Sequence, residues 1–181
     1  SQMLQCIKPG LQATRQLSLD DVVQEATDQT QGLFQRHGVQ VSLNLQASSA
    51  MVEAESASLV AALVAVLENA AQASPAASTV RITTRANGLR AEAVIEDQGH
   101  GISAEMLDNL FEPFATDRST GTGLGLSIAS NVIRRHRGDI TAHNRPDGGA
   151  CFTIALPSSA SGSPRCGSKN RPPDAPAVRS V

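Results

Sequence analysis

The stretch "DRSTGTGLGLSIAS", residues 117–130, turns abruptly from polar to apolar across three alternating glycines. Gly121, Gly123 and Gly125 are separated by Thr122 and Leu124, and Ile128, Ala129, Val132 and Ile133 then fall on one face of a helix. That spacing predicts a helix from about Gly125 to Arg137, stopped by Gly138. Closely spaced glycines remove side chains that would block a bulky ligand, and amides at a helix N-terminus attract phosphate. A dinucleotide-binding loop needs a strand immediately before its glycines, whereas ATDRST is polar and loop-like. A Walker loop needs Gly-Lys-Ser/Thr, which does not follow. The stretch is therefore a different phosphate cradle, or only a device for starting a helix.

Working outward, the neighbouring segments mix helices with strands. A helix is expected over residues 19–36, beginning near Ser18 or Asp20, followed by a period-two strand, VQVSLNL (39–45). Ser56 can cap a second helix, in which Leu59, Ala62, Leu63, Val66, Leu67 and Ala70 form an apolar stripe. The strands 79–85 and 89–97 flank Asn87-Gly88, a hairpin signal. A short helix can follow Ser103, and the last strands are 139–144 and 150–157, linked through Pro146-Asp147-Gly148-Gly149. Without regular βαβ alternation, this pattern predicts an α+β two-layer sandwich, a mixed and mostly antiparallel sheet covered on one face by helices.

Three divisions follow: residues 1–17 as a remnant of a connecting helix or linker, 18–157 as one domain, and 158–181 as a disordered tail. The tail, rich in Ser and Pro, has too little apolar surface to offset its ordering entropy. The chain begins with Ser1, as a piece of something longer would.

At 181 residues and 40% hydrophobic content, the chain can build a core, but with 2% aromatics that core must be Leu, Val, Ile and Ala. A net charge of −2 carries no nucleic-acid footprint. Cys6, Cys151 and Cys166 are far apart and form no metal-ligand spacing, which favours a reducing, cytoplasmic setting. No signal peptide is recognisable, and no run is expected to reach the roughly 18 apolar residues that span a bilayer.

Two polar residues stand where they need explaining. Asn69, in VLENAAQAS, lies just off the apolar stripe on a flank of small residues with Ala62, Ala65, Gln72 and Ala73. It is either an ordinary surface residue or an oxygen donor to a hard cation such as magnesium. Asp97 shares strand parity with Ala91, Ala93 and Ile95, which puts a carboxylate on the covered face. Followed by Gln98-Gly99-His100-Gly101, it either caps its own turn or accepts a hydrogen bond from an amino group on a base.

The order of these features decides between the readings. Asn69, then Asp97-x-Gly99-x-Gly101, then Phe111-Glu-Pro-Phe114, then Gly121-Thr122-Gly123-Leu124-Gly125 resembles the ATP-binding domain of bacterial sensor histidine kinases, with its N box, first glycine box, F box and second glycine box. The resemblance covers about residues 19–157, and NAAQAS and the short lid are most similar to the nitrogen-regulation subgroup. It implies the α/β sandwich shared with DNA gyrase, certain chaperones and mismatch-repair ATPases. It also implies ATP and magnesium as ligands, with Asn69 on the metal and Asp97 on the adenine amino group. Gly99 and Gly101 would shape the adenine pocket. Phe111 and Phe114 would anchor a lid over 115–122, and Gly121, Gly123 and Gly125 would close it on the phosphates. Arg118 is a candidate for the γ-phosphate by its charge alone.

The chain departs from the family at some positions. Ala65 stands where relatives often carry Asn or Glu, so hydrolysis through a gyrase-like general base is not expected. Glu68 is about 100° around the helix and is a poor substitute. Gln72 stands where Lys or Arg is common. The family's acceptor histidine is followed by an acidic residue and then a Pro, a context that His37, His100, His136 and His143 all lack. His136 lies in Arg134-Arg135-His136-Arg137, a basic run suited to a helix C-terminus. The expected protein is thus a catalytic domain donating phosphate to a histidine on a separate dimerisation domain, with a response regulator downstream. No direct partner role for nucleic acid or membrane is expected. The alternative is a nucleotide-binding interaction module that has lost kinase activity.

Overall fold

A computed structural model describes residues 14–115 and 123–160. Strand β1 (Arg15–Ser18) leads into helix α1 (Leu19–His37), followed by β2 (Gln40–Gln46), β3 (Ala50–Ala54) and α2 (Ser56–Ala73). The hairpin β4 (Thr79–Asn87) and β5 (Arg90–Glu96) precedes a single turn, α3 (Ala104–Leu107). Helix α4 (Gly125–Arg135) and strands β6 (Asp139–Asn144) and β7 (Ala150–Ala160) complete the described chain. The strands form one sheet in the order β1-β3-β7-β5-β4-β2, with β6 also on β7. Only β2 and β4 run parallel; the other pairings are antiparallel, so the expected mostly antiparallel sandwich is what forms.

Local sequence explains most of these elements. In β5, Ala91, Ala93 and Ile95 are fully buried and alternate with half-buried residues, as a half-covered strand requires. The β4–β5 register pairs Asn87 with Arg90, so the two-residue turn is Gly88-Leu89 rather than Asn87-Gly88. A positive φ at Gly88 alone suits a turn with glycine in its first central position. Helix α1 starts at Leu19 without a side-chain cap from Ser18. Its first turn is held instead by buried Asp20, whose Oδ1 accepts from the Ala47 amide at 3.1 Å and from the Thr84 hydroxyl.

The core lies between the helices and the sheet. Helix α2 packs against both α1 and α4, burying Leu59, Leu63, Val66, Leu67, Ala70 and Ala71. Phe34 and Phe152 are the largest fully buried side chains in an otherwise aliphatic interior. The expectation that no run is apolar enough to span a bilayer needs correcting. Helix α2, at 18 residues and mean hydropathy 1.4, is long and apolar enough by length and composition. Its apolarity is accounted for by packing on two sides, as in the central helix of a layered core.

Both ends of the expected domain shift. Residues Arg15–Ser18, within and beside the stretch taken for a connecting-helix remnant, form a strand paired with Met51–Ala54. Strand β7 runs past Pro157 through Ala160, pairing with β3, so Ser158–Ala160 do not belong to an unstructured tail. Residues 1–13 and 161–181, with the rest of the tail and Cys6 and Cys166, lie outside the described residues. Helix α4 ends at Arg135 because Arg137 turns to φ 59° and Gly138 passes too close to the Ala155 carbonyl for a Cβ. His136 does more than sit at a basic helix end. Its Nδ1 lies 2.8 Å from the Val132 carbonyl and its Nε2 accepts from the Glu55 amide at 3.1 Å, tying the end of α4 to the start of α2.

Candidate functional site

Asp97 follows β5 on its buried face and is 1% exposed. Its Oδ1 accepts from the amides of Gly99 at 2.9 Å and Ala150 at 3.0 Å. Its Oδ2 is equally buried and has no hydrogen-bond partner. A capping carboxylate would need only the Gly99 contact, so the cap explains one oxygen and leaves the other unaccounted for. An unpartnered buried carboxylate oxygen costs on the order of 1–3 kcal/mol or more, which a ligand amino group would relieve.

The glycines show how the surrounding segments approach. A Cβ on Gly99 would lie 2.5 Å from the Ala73 carbonyl oxygen, so the turn after Asp97 presses on the C-terminal end of α2. At the other end of the site, a Cβ on Gly125 would make ordinary contact, 3.8 Å, with the Cβ of Ala65. Ala65 and Ala73 are one turn before and one turn after Asn69 on the same helix. Asn69, half-buried, therefore sits between the two glycine stretches, which the fold brings together from positions far apart in sequence. Glu68 is exposed, as its position around the helix required.

The second glycine stretch is only partly described. Leu124 precedes the first turn of α4, and no side chain caps that turn. Gly123 takes φ 65°, and a Cβ there would fall 2.6 Å from the Phe114 carbonyl carbon. The Phe114 amide donates to the Gly123 carbonyl oxygen at 3.0 Å, so backbone contacts join the two sides of the segment between them. Arg118, Gly121 and Thr122, and most of the expected lid, lie outside the described residues.

The two phenylalanines part company. Phe111 is half-buried and packs on the core, as an anchor should. Phe114 is 74% exposed at φ 68°, so among the described residues its ring is not packed as an anchor, while its backbone is held by Gly123. Gly101, at φ 77°, abuts the Asn144 side chain. Sequence reasoning missed Asn144, Arg145 and Gly149, which border the Asp97 turn from the β6–β7 connection. The glycine pair Gly148-Gly149 was the available signal, and it was read only as a turn.

Elsewhere, His100 and His143 are exposed, and His37 lies at the end of α1. Among the described residues no three His, Cys, Asp or Glu side chains converge on a possible metal position. Cys151 is a buried free thiol; burial, and secondarily the Glu96 charge, push its pKa above the ordinary 9.0.

Residues 54–160 match the family model described as "Histidine kinase-, DNA gyrase B-, and HSP90-like ATPase". The signal transduction histidine-protein kinase AtoS of Escherichia coli is 35% identical over 86% of this chain and 26% of its own length. Sporulation kinase A of Bacillus subtilis is 27% identical over 87% of this chain and 26% of its own. The chain thus spans about a quarter of these relatives. Among solved structures, a mycobacterial sensor histidine kinase, MprB, superposes with TM-score 0.73 at 25% identity, covering 82% of this chain and 99% of that one. The catalytic domain of histidine kinase ThkA superposes at 0.72 with 24% identity over 80% and 95% of the two chains, a likeness of fold. The chain is homologous to sensor histidine kinases, and it belongs to the histidine kinase-, DNA gyrase B- and HSP90-like ATPase family.

Proposed function

We propose that this chain binds Mg-ATP and donates its γ-phosphoryl group to a histidine on a separate dimerisation domain. The observation that carries the nucleotide part is the buried Asp97 Oδ2 without a partner, beside a turn that cannot hold a Cβ at Gly99. An acceptor in that position suits the exocyclic amino group of adenine and disfavours the carbonyl that guanine carries there. Gly99 and Gly101 let the turn that would border the adenine pack closely on the end of α2 and on Asn144, and Phe111 packs on the core. The uncapped first turn of α4 offers amides at Gly125 and beyond to phosphate oxygens. Gly121, Thr122, Gly123 and Leu124 belong to this cradle by the motif, and Arg118 is assigned only by its charge.

The residues present fit a magnesium ion held mostly by the nucleotide. Asn69 would supply one side-chain oxygen, with phosphates and water completing the shell, as is usual for this ion. When bound, magnesium would neutralise phosphate charge. In the transfer, the bond from the γ-phosphorus to the bridging oxygen breaks, a bond to an imidazole nitrogen forms, ADP leaves and the imidazole proton passes to solvent. The chain's part is positioning and charge stabilisation. Ala65 presents only a methyl group beside Gly125, so no carboxylate is supplied there to activate water.

Phe114 and Ile128, 74% and 56% exposed, lie either side of Gly123-Leu124 and offer an apolar contact to the incoming histidine domain. A response regulator would act downstream. The free Cys151 and the family's character support a cytoplasmic location for the domain, whether or not the parent protein is membrane-anchored.

Mixing this chain with labelled ATP and the histidine-bearing domain of its parent protein tests the reading. Label on that domain is the expected result. Tight ATP binding with no transfer would favour an interaction module without kinase activity. Steady hydrolysis without an acceptor would favour a gyrase-like ATPase instead.

A further inference from the structure

The turn that carries Asp97 is held at both ends by two consecutive residues from the end of β6, across β7, Asn144 and Arg145. At the start of the turn, Arg145 Nη1 donates to the Asp97 main-chain carbonyl at 2.8 Å and also reaches the Gly148 carbonyl at 3.3 Å. Its Nε lies 3.3 Å from Glu96 Oε1, and its side chain is 17% exposed. At the end of the turn, Asn144 Oδ1 accepts from the Ile102 amide and its Nδ2 donates to the Ile102 carbonyl, both at 2.7 Å. A side-chain amide that satisfies both main-chain groups of one residue fixes that residue's place and orientation together. Between the two clamped ends lie only Gln98, Gly99, His100 and Gly101, two of them glycines with little stiffness of their own.

We propose that Asn144 and Arg145 are positioning residues for base recognition, holding the Asp97–Ile102 turn in the conformation that reads adenine. The inference rests on the nucleotide reading of Asp97. Beyond the Gly99–Asp97 bond and the contact of Gly99 with the end of α2, the glycines lend the turn little rigidity, so its conformation depends on support from outside. The hairpin joining β6 to β7 supplies that support at both ends of the turn. Arg145 is not solely a surface ion-pair partner, because its guanidinium spends one donor on a main-chain oxygen of the base-reading residue. Asn144, mostly exposed, would be read as a dispensable strand end without these two bonds.

The test is calorimetric titration of the full chain with Mg-ATP and Mg-GTP. The variants are Asn144→Ala, Arg145→Ala, Asn144→Asp and Arg145→Lys, each first checked for a cooperative melt. Each alanine variant should bind ATP about tenfold more weakly and lose part of its preference over GTP. Arg145→Lys, which keeps a cationic N–H donor, should recover part of the loss, whereas Asn144→Asp, which keeps the acceptor for the Ile102 amide but sets a carboxylate oxygen against the Ile102 carbonyl, should not. The double alanine variant should lose less than the product of the single effects, since both act on one turn. Hydrogen exchange at Gly99–Ile102 should quicken in the same variants. Variants that melt cooperatively yet bind ATP within twofold of the parent chain would overturn the inference. So would equal weakening for ATP and GTP, which would mark a structural role only. Failure of the parent chain itself to prefer ATP would overturn the nucleotide reading and this inference with it.

Discussion

Gly149 lies directly over Asp97: a Cβ added to it would fall 2.1 Å from the Asp97 carbonyl oxygen and 3.0 Å from its Oδ1. Gly149 also holds φ 86°, where L residues are strained. Its neighbour Gly148 has φ 92° but nothing within 4 Å of such a Cβ. The pair therefore separates backbone strain from collision. Gly148→Ala should cost about 1 kcal/mol, the strain alone. Gly149→Ala should cost roughly 3 kcal/mol or more, because main-chain atoms must move. Urea unfolding of both variants measures the difference, and equal losses would mean that Gly149 does not constrain Asp97.

In the proposed function Asn69 would touch a metal carried by the nucleotide. Asn69→Ala should leave the fold intact, since its side chain is only half-buried. It should slow phosphotransfer on the order of 100-fold through loss of positioning. Transfer at the parental rate with saturating Mg-ATP would remove Asn69 from the site.

Cys151 links pH to stability through a raised pKa. Burial first, and then the Glu96 charge, favour the neutral thiol in the folded chain. The thiol's contribution is complete below its ordinary value of 9.0 and is lost as pH rises through the higher folded value. Urea midpoints of the parent chain and of Cys151→Val should therefore run parallel up to about pH 9 and diverge above it, with the parent falling faster. Parallel curves throughout the alkaline range would contradict a buried thiol here.

Much of the site was legible because local patterns carried it. Strand parity put Asp97 on the covered face, helical spacing put Asn69 off the stripe of α2, and alternating glycines marked the start of α4. Strand β3, Ala50–Ala54, was not legible, because its few residues have no strong β-propensity and it gains its place by pairing with β1 and β7. Neither was the parallel pairing of β2 with β4, which depends on how α2 crosses between them. Phe114 was expected, with Phe111, to anchor the lid, yet its left-handed backbone leaves the ring exposed. Asn144 and Arg145 were invisible for a further reason. Their partners are more than forty positions away, and only the β5–β7–β6 register brings them together.

The central claim is that the unpartnered oxygen of Asp97 reads adenine, and Asp97→Asn tests it with the least disturbance. The amide oxygen can still accept from Gly99 and Ala150, while an NH2 group replaces Oδ2 and opposes the amino group of the base. Calorimetric titration of the parent chain with Mg-ATP and Mg-GTP should give at least about tenfold tighter binding of ATP. In Asp97→Asn, ATP binding should weaken and that preference should disappear, with the melting transition still cooperative. Equal affinities for ATP and GTP in the parent chain, or an unchanged preference in the variant, would contradict the account.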